Sequence, residues 1–291
     1  MRYLTKQWSD LHKLTNLHAG LRVHKEAKEL SERTYLRLRQ RKLRTFLKQE
    51  RELHDFDPRT LLEEDNTVFV RADKFFSGEV IQEEDTIIYE MSNEEKVNIH
   101  QLIEAYDKKQ PFNVQECKSE FDKRQRMIQE ENKDRIPGEI YSKIADPRVF
   151  ALGYSTREII EQLKKYGQEN EKIIQSVLDN YSKEQQAQQI SDYLKEIFGF
   201  HDCKVLSVIK QNDITIDFDS SHGFTTNNRV IFHDAVVIQE DREVDGAWWI
   251  YEEVYKNEHG YEVHMLFADH QDSKIELTIV SKDITIDRVD R

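Results

Sequence analysis

The sequence predicts an α+β protein, with a mainly helical body over residues 1–199 and an antiparallel β-module over residues 200–291 that forms a barrel or a sandwich-like layer. Three observations carry this. Apolar residues recur at helical spacing through most of the first two thirds, and the period drops to two after Gly199. From Phe200 onward there is no proline, and turn-forming residues punctuate the chain at hairpin spacing.

Residues 24–55 read as a long helix. At about 100° per residue, Arg33, Arg37, Arg41, Arg44, Lys48 and Arg51 share one arc. Leu36, Leu43, Phe46, Leu47 and Leu53 fill another, so one face is cationic and one apolar. Asp57-Pro58 supplies an N-cap followed by proline at the first helical position, for a short helix. Residues 67–70 and 86–90 are short strands around Ser77-Gly78. Ser92 with Glu95 forms a capping box, in which the Ser oxygen accepts a backbone N–H and the Glu reaches back. Asn113 with Glu116 opens a helix ending before Pro137, and Asp146-Pro147 repeats the cap-plus-proline pattern. Ser155 with Glu158 is a further capping box ahead of Ile159, Ile160 and Leu163. Helical spacing continues through Ile173, Ile174, Val177, Leu178 and Tyr181, then Ile190, Tyr193, Leu194 and Ile197, with Gly199 as a left-handed stop.

Beyond Gly199, Val205, Ser207 and Ile209 alternate with Leu206 and Val208, and Ile214, Ile216 and Phe218 alternate with Thr215, Asp217 and Asp219. Gln211-Asn212-Asp213 makes the turn between them. A third strand covers residues 230–238, with a bulge near His233-Asp234. Residues 248–256 and 261–267 flank Asn257-Glu258-His259-Gly260, a strong hairpin signal. Ile275, Leu277 and Ile279 lead to a last strand at Ile284 and Ile286.

Composition restricts the class of protein. Charged residues make up 34% of the 291, but the 10% of aromatic residues argues for a packed core. No apolar run approaches the roughly 18 residues of a membrane span, and the N-terminal segment lacks the apolar core of a signal peptide. Cys117 and Cys203 stand far apart with no CxxC, which argues against structural zinc and a disulfide framework and makes a reducing cytoplasm the expected location. Net charge is −13, unevenly spread: residues 1–60 carry +7, residues 61–199 and 200–291 each −10. Such an acidic surface disfavours nucleic acid and membranes and favours a basic protein partner.

Several stretches resemble one bacterial family. They are Met1-Arg2-Tyr3-Leu4-Thr5-Lys6, Tyr35-Leu36-Arg37-Leu38, Asp146-Pro147-Arg148-Val149-Phe150-Ala151-Leu152-Gly153-Tyr154 and Gly199-Phe200-His201-Asp202-Cys203-Lys204-Val205. Gly223-Phe224-Thr225 and Trp249-Ile250-Tyr251-Glu252-Glu253 with Gly260-Tyr261-Glu262 belong to the same likeness. The chain is similar over nearly its whole length to domain of unknown function 4085, found mainly in Bacillus-type Gram-positive bacteria. The resemblance implies a soluble, cytoplasmic bacterial protein and brings no activity, cofactor or catalytic residue with it.

Three functional readings follow from the residues. The first is a non-catalytic protein-binding module without a cofactor. Its contact surface is the aromatic hairpin of Trp249, Tyr251, Tyr255, Tyr261 and His264, because large rings bury much area at little entropic cost. An immunity-type inhibitor of a basic toxin enzyme is one variant. The second is a metal-dependent hydrolase using His201, Asp202 and His233, since imidazole and carboxylate suit zinc, manganese or iron. Against it, His201-Asp202 sits at a helix-to-strand junction, where Asp commonly closes a turn. The third is a nucleic-acid-binding regulator in which Arg37, Arg41 and Arg44 track phosphates; intramolecular pairing with acidic helices is the competing use of the same stripe. Glu252 and Glu253 fall on opposite faces of a strand and make a poor acid–base pair. The P-loop, HExxH, GxSxG and Rossmann glycine patterns are absent from the sequence.

Overall fold

A computed structural model describes residues 1–70, 82–188, 190, 194 and 198–289. The fold is α+β, a helical N-terminal part followed by an eight-stranded antiparallel sheet. The helices of the described residues are α1 (Lys6–Thr15), α2 (Glu32–Asp55), α3 (Asn93–Lys108), α4 (Val114–Arg135), α5 (Gly138–Tyr141), α6 (Pro147–Ala151) and α7 (Arg157–Ala187). The strands are β1 (Arg22–Val23), β2 (Thr67–Val70), β3 (Thr86–Tyr89), β4 (Tyr154–Ser155), β5 (Lys204–Lys210), β6 (Ile214–Asp219), β7 (Arg229–His233), β8 (Val236–Glu240), β9 (Trp248–Asn257), β10 (Gly260–Ala268), β11 (Lys274–Ser281) and β12 (Asp283–Asp287). They group into two compact units, one of Met1–Leu21, Arg135–Lys143 and Arg157–Arg291, the other of Arg22–Asp134 and Ile144–Thr156.

In the helical unit, Ser31 rather than a residue near position 24 starts α2, its side chain accepting the Thr34 N–H. The preceding residues form a short 3-10 turn instead of the expected helix. The Ser92–Glu95 capping box forms, and Asp57 and Asp146 cap the helical turns that begin with Pro58 and Pro147. Leu38, Phe121, Val149, Leu152 and Tyr154 make a small core. β2 and β3 pair as an antiparallel hairpin, while the Ser77-Gly78 turn expected between them lies outside the described residues.

The sheet unit is built around strand order β12-β7-β6-β5-β9-β10-β11-β8. The strand expected over 230–238 is broken into β7 and β8 by a turn at Asp234, whose φ of 46° is left-handed, a conformation Asp tolerates. Its partner bends likewise at Lys282, so β7 pairs with β12 and β8 with β11. The sheet therefore folds over without closing into a barrel, and β12 and β8 remain as its edges. Fully buried side chains from both halves, among them Phe218, Phe232, Trp249, Met265, Phe267 and Leu277, meet in one core.

Among the described residues, helices α1, α5 and α7 complete this unit. Ser155 is paired in β4, so α7 starts at Arg157 without the expected Ser155 box. Of the helical residues expected after it, Tyr193 and Ile197 lie outside the described residues. α1 crosses α7 where Gly167 leaves no room: a Cβ there would stand 2.0 Å from the Thr15 carbonyl oxygen. Gly167→Ala should therefore push α1 away and destabilise by about 1–3 kcal/mol, despite alanine's better helix propensity. Denaturant unfolding checks this, and unchanged stability would contradict so close an approach.

Candidate functional site

The arrangement of β9 follows from one extra residue. Tyr251 pairs with Leu266 and Trp249 with Phe267, so Ile250 is a bulge. Counting across it, Trp249, Glu252 and Val254 fall on the core side, and Tyr251, Glu253 and Tyr255 on the other. That phase shift lets residues three apart meet, and Trp249 Nε1–H donates to Glu252 Oε2 at 2.7 Å.

Glu253 has no exposed surface. Its Oε2 accepts the Arg2 N–H and the Tyr255 hydroxyl, each at 2.8 Å, and its Oε1 accepts the N–H groups of Tyr3, at 2.8 Å, and Leu4. One buried carboxylate thus satisfies three successive backbone donors and pins the N-terminal segment to the sheet. The Arg2 guanidinium stands 3.9 Å above the Tyr255 ring and donates to Glu262 at 2.9 Å. Burial, then the adjoining Glu253 carboxylate, pushes the Tyr255 phenol up, so it stays a donor. His264 lies opposite Glu253 on β10; its Nε2–H donates to Glu262 at 2.6 Å, and its Nδ1 lies 3.3 Å from the Thr278 hydroxyl. Burial holds that imidazole below its usual range, while Glu262 acts against the shift.

β9 leaves β5 after the single pair Lys204–Trp248. Along the edge so freed, Gln185 donates to the Val254 carbonyl at 2.6 Å and Gln188 accepts the Lys256 N–H at 2.8 Å. Beside this edge opens a cavity of about 600 Å³. Leu4, Leu178, Tyr181, Leu194, Phe198 and Val254 give it apolar walls, and Gln185, His201, Tyr251 and Glu252 add polar groups. Desolvation pushes the Glu252 carboxyl up to about 7, and the Trp249 hydrogen bond opposes that shift. Burial, with the Asp202 charge behind it, raises the Tyr251 phenol. A partly desolvated carboxylate in an apolar recess is a recurrent feature of binding sites.

The residues singled out from the sequence do not share one surface. Trp249 and Tyr255 are 0% and 1% exposed: Trp249 packs against Phe200, Phe218 and Phe267, and Tyr255 belongs to the Glu253 network. Tyr251 is half-buried against Trp8 and in the cavity wall, and Tyr261 is half-buried against the core. The metal set does not assemble. His201 and Asp202 form the turn before β5, where Asp202 takes a φ of 66° and its N–H meets the Trp249 carbonyl. His233 is held elsewhere, by Asp213 at 3.2 Å and Thr285 at 2.8 Å. Among the described residues no group of three His, Cys, Asp or Glu side chains gathers to hold an ion. On α2, Arg37 pairs with Glu26 at 2.7 Å, whereas Arg41 and Arg44 are exposed and make no ion pair among the described residues. Cys203 is fully buried, its thiol pushed up to about 11 by desolvation.

Glu252 and Glu253, the two groups around which both arrangements turn, were legible only as a mismatched pair. The available signal was two adjacent carboxylates inside a strand otherwise made of rings and aliphatic residues.

The family model described as Protein of unknown function (DUF4085) matches residues 88–281. No curated protein and no solved structure matches the chain. No helix among the described residues is long and apolar enough to cross a membrane.

Proposed function

The chain belongs to the DUF4085 family of proteins of unknown function, and from that starting point we propose that it is a non-catalytic binding protein that grips another protein through the cavity beside β9. The observation that carries this reading is the cavity itself. Its volume, about 600 Å³, takes an anchoring side chain with room for its neighbours, and its walls are mostly apolar with a few placed polar groups. The acidic balance of the chain steers a basic partner toward it by raising the association rate. An immunity-type inhibitor that neutralises a basic enzyme is one form of this reading. The aromatic contribution comes from Tyr181 and Tyr251 in the wall, with Trp249 acting as support through its hold on Glu252.

Site-specific photo-crosslinking in cells of the native host tests it. Ser182 is exposed at the cavity, and Lys165 is exposed on the same helix and does not line it. A crosslinking residue at 182 is expected to yield a discrete protein adduct that a crosslinker at 165 does not. Equal adducts from both positions, or none from 182, would overturn the assignment.

A further inference from the structure

We infer that the anchor received by the cavity is a lysine side chain, its ammonium group placed against the free oxygen of Glu252. This rests on the reading of the cavity as the recognition site and names the group recognised there.

The argument begins with charge. Of the described residues lining the cavity, Glu252 is the only one with an acidic side chain, and neither Lys nor Arg is among them. A cation entering from water thus meets a counter-charge and no like charge among these residues. Tyr181 and Tyr251 bring aromatic rings to the same wall, and aromatic rings attract cations. Geometry then selects among cations. Glu252 Oε2 already accepts the Trp249 indole N–H, and Oε1 accepts nothing among the described residues. A guanidinium fork would have to share Oε2 with the Trp249 indole, so the acceptor without a partner among the described residues is Oε1 alone. That single acceptor suits the point charge of an ammonium. The stem of such a side chain is apolar, and Leu4, Leu178 and Val254 supply the surface to cover it.

The titratable groups that line the cavity with Glu252 among the described residues are Tyr181 on α7, His201 in the turn before β5 and Tyr251 on β9, with Glu253 next in the strand and on its other face. Lysine recognition should strengthen as pH rises from 5.5 to 8, because Glu252 gains its charge over that interval while the ligand ammonium keeps its own.

Binding of short acetylated peptides to the full chain, followed by NMR titration, tests the inference. The probes carry lysine, arginine or norleucine at one central position, and n-butylamine serves as the free-amine probe. At pH 8 the lysine peptide is expected to bind about tenfold more tightly than the norleucine peptide, and more tightly than the arginine peptide. Glu252→Gln should remove the lysine preference and its pH dependence and leave norleucine binding in place. Equal binding of lysine and norleucine peptides, or a preference that survives Glu252→Gln, overturns the lysine assignment but leaves the cavity as the recognition site. Binding of n-butylamine with rejection of every peptide overturns it in favour of a free amine. Failure of all four probes to shift any cavity resonance sinks the recognition-site reading and the lysine assignment together.

Discussion

Glu253→Ala is expected to destabilise the sheet unit by about 3–5 kcal/mol and to release the N-terminal segment. The side chain removed is fully buried and accepts from three backbone N–H groups and one tyrosine hydroxyl. Alanine leaves those donors facing a void that the surrounding strands cannot close. Each unsatisfied donor costs on the order of 1–3 kcal/mol where water cannot reach it, and release of the segment lets water in and limits the total. Glu253→Gln keeps the volume and one acceptor but turns an amide N–H₂ toward donors, so a smaller loss, roughly 1–3 kcal/mol, is expected. Hydrogen exchange at the amides of Arg2, Tyr3 and Leu4 reports the release directly. Exchange at those positions unchanged by Glu253→Ala would show that the carboxylate does not hold the segment. The effect should resist salt, because a buried carboxylate meeting backbone dipoles is poorly screened by ions.

The same network shows what the sequence made legible. Local signals that depend on neighbours within four residues came through: the Ser92–Glu95 box, the proline-led turns at 58 and 147, and the hairpin ending at Gly260. The period of two beyond Gly199 identified the sheet and placed most of its strands within a residue or two, but it merged β7 and β8 into one strand. Less legible was anything set by contacts distant along the chain. Trp249 and Tyr255 read as an exposed aromatic patch because alternation alone does not say what covers each face. The cover over Tyr255 comes from Arg2, some 250 positions earlier, and the cover over Trp249 from Phe200, Phe218 and Phe267. The bulge at Ile250 was hidden for a related reason: an extra residue is defined by the partner strand, and without it Trp249 and Glu252 belong to opposite faces. The His–Asp pairs looked like ligands by composition, yet Asp202 and Asp234 serve left-handed turns. Asp fits that conformation better than most residues, so a His-Asp dipeptide at a turn carries little information about metal.

Glu252→Gln should stabilise the protein at alkaline pH and leave its stability nearly unaltered in acid. The Glu252 carboxyl is raised from an ordinary 4.5 to about 7 in the folded state, chiefly by desolvation. Between those two values the folded chain holds a proton that the unfolded chain has released, so unfolding is favoured as pH rises through the interval. Stability from this group is therefore greatest below about 4.5, declines toward 7 and is level above it. The full difference is at most about 3 kcal/mol, taking 1.36 kcal/mol for each unit. Glutamine has no proton to lose and can still accept from the Trp249 indole. Subtracting the unfolding free energies of wild type and Glu252→Gln at each pH cancels the other titrating groups. The difference should be near zero at pH 4, grow through pH 5–7 and plateau by pH 8, where the melting temperature of the variant is higher by roughly 5 °C. A flat difference across that range would show that Glu252 is well solvated, and the cavity would then lack the desolvated charge on which lysine recognition depends. A rising curve would mean that the fold tolerates an uncompensated carboxylate at neutral pH. Such a local cost is expected where the missing counter-charge arrives with a ligand, and the lysine peptide should then stabilise wild type more than the variant.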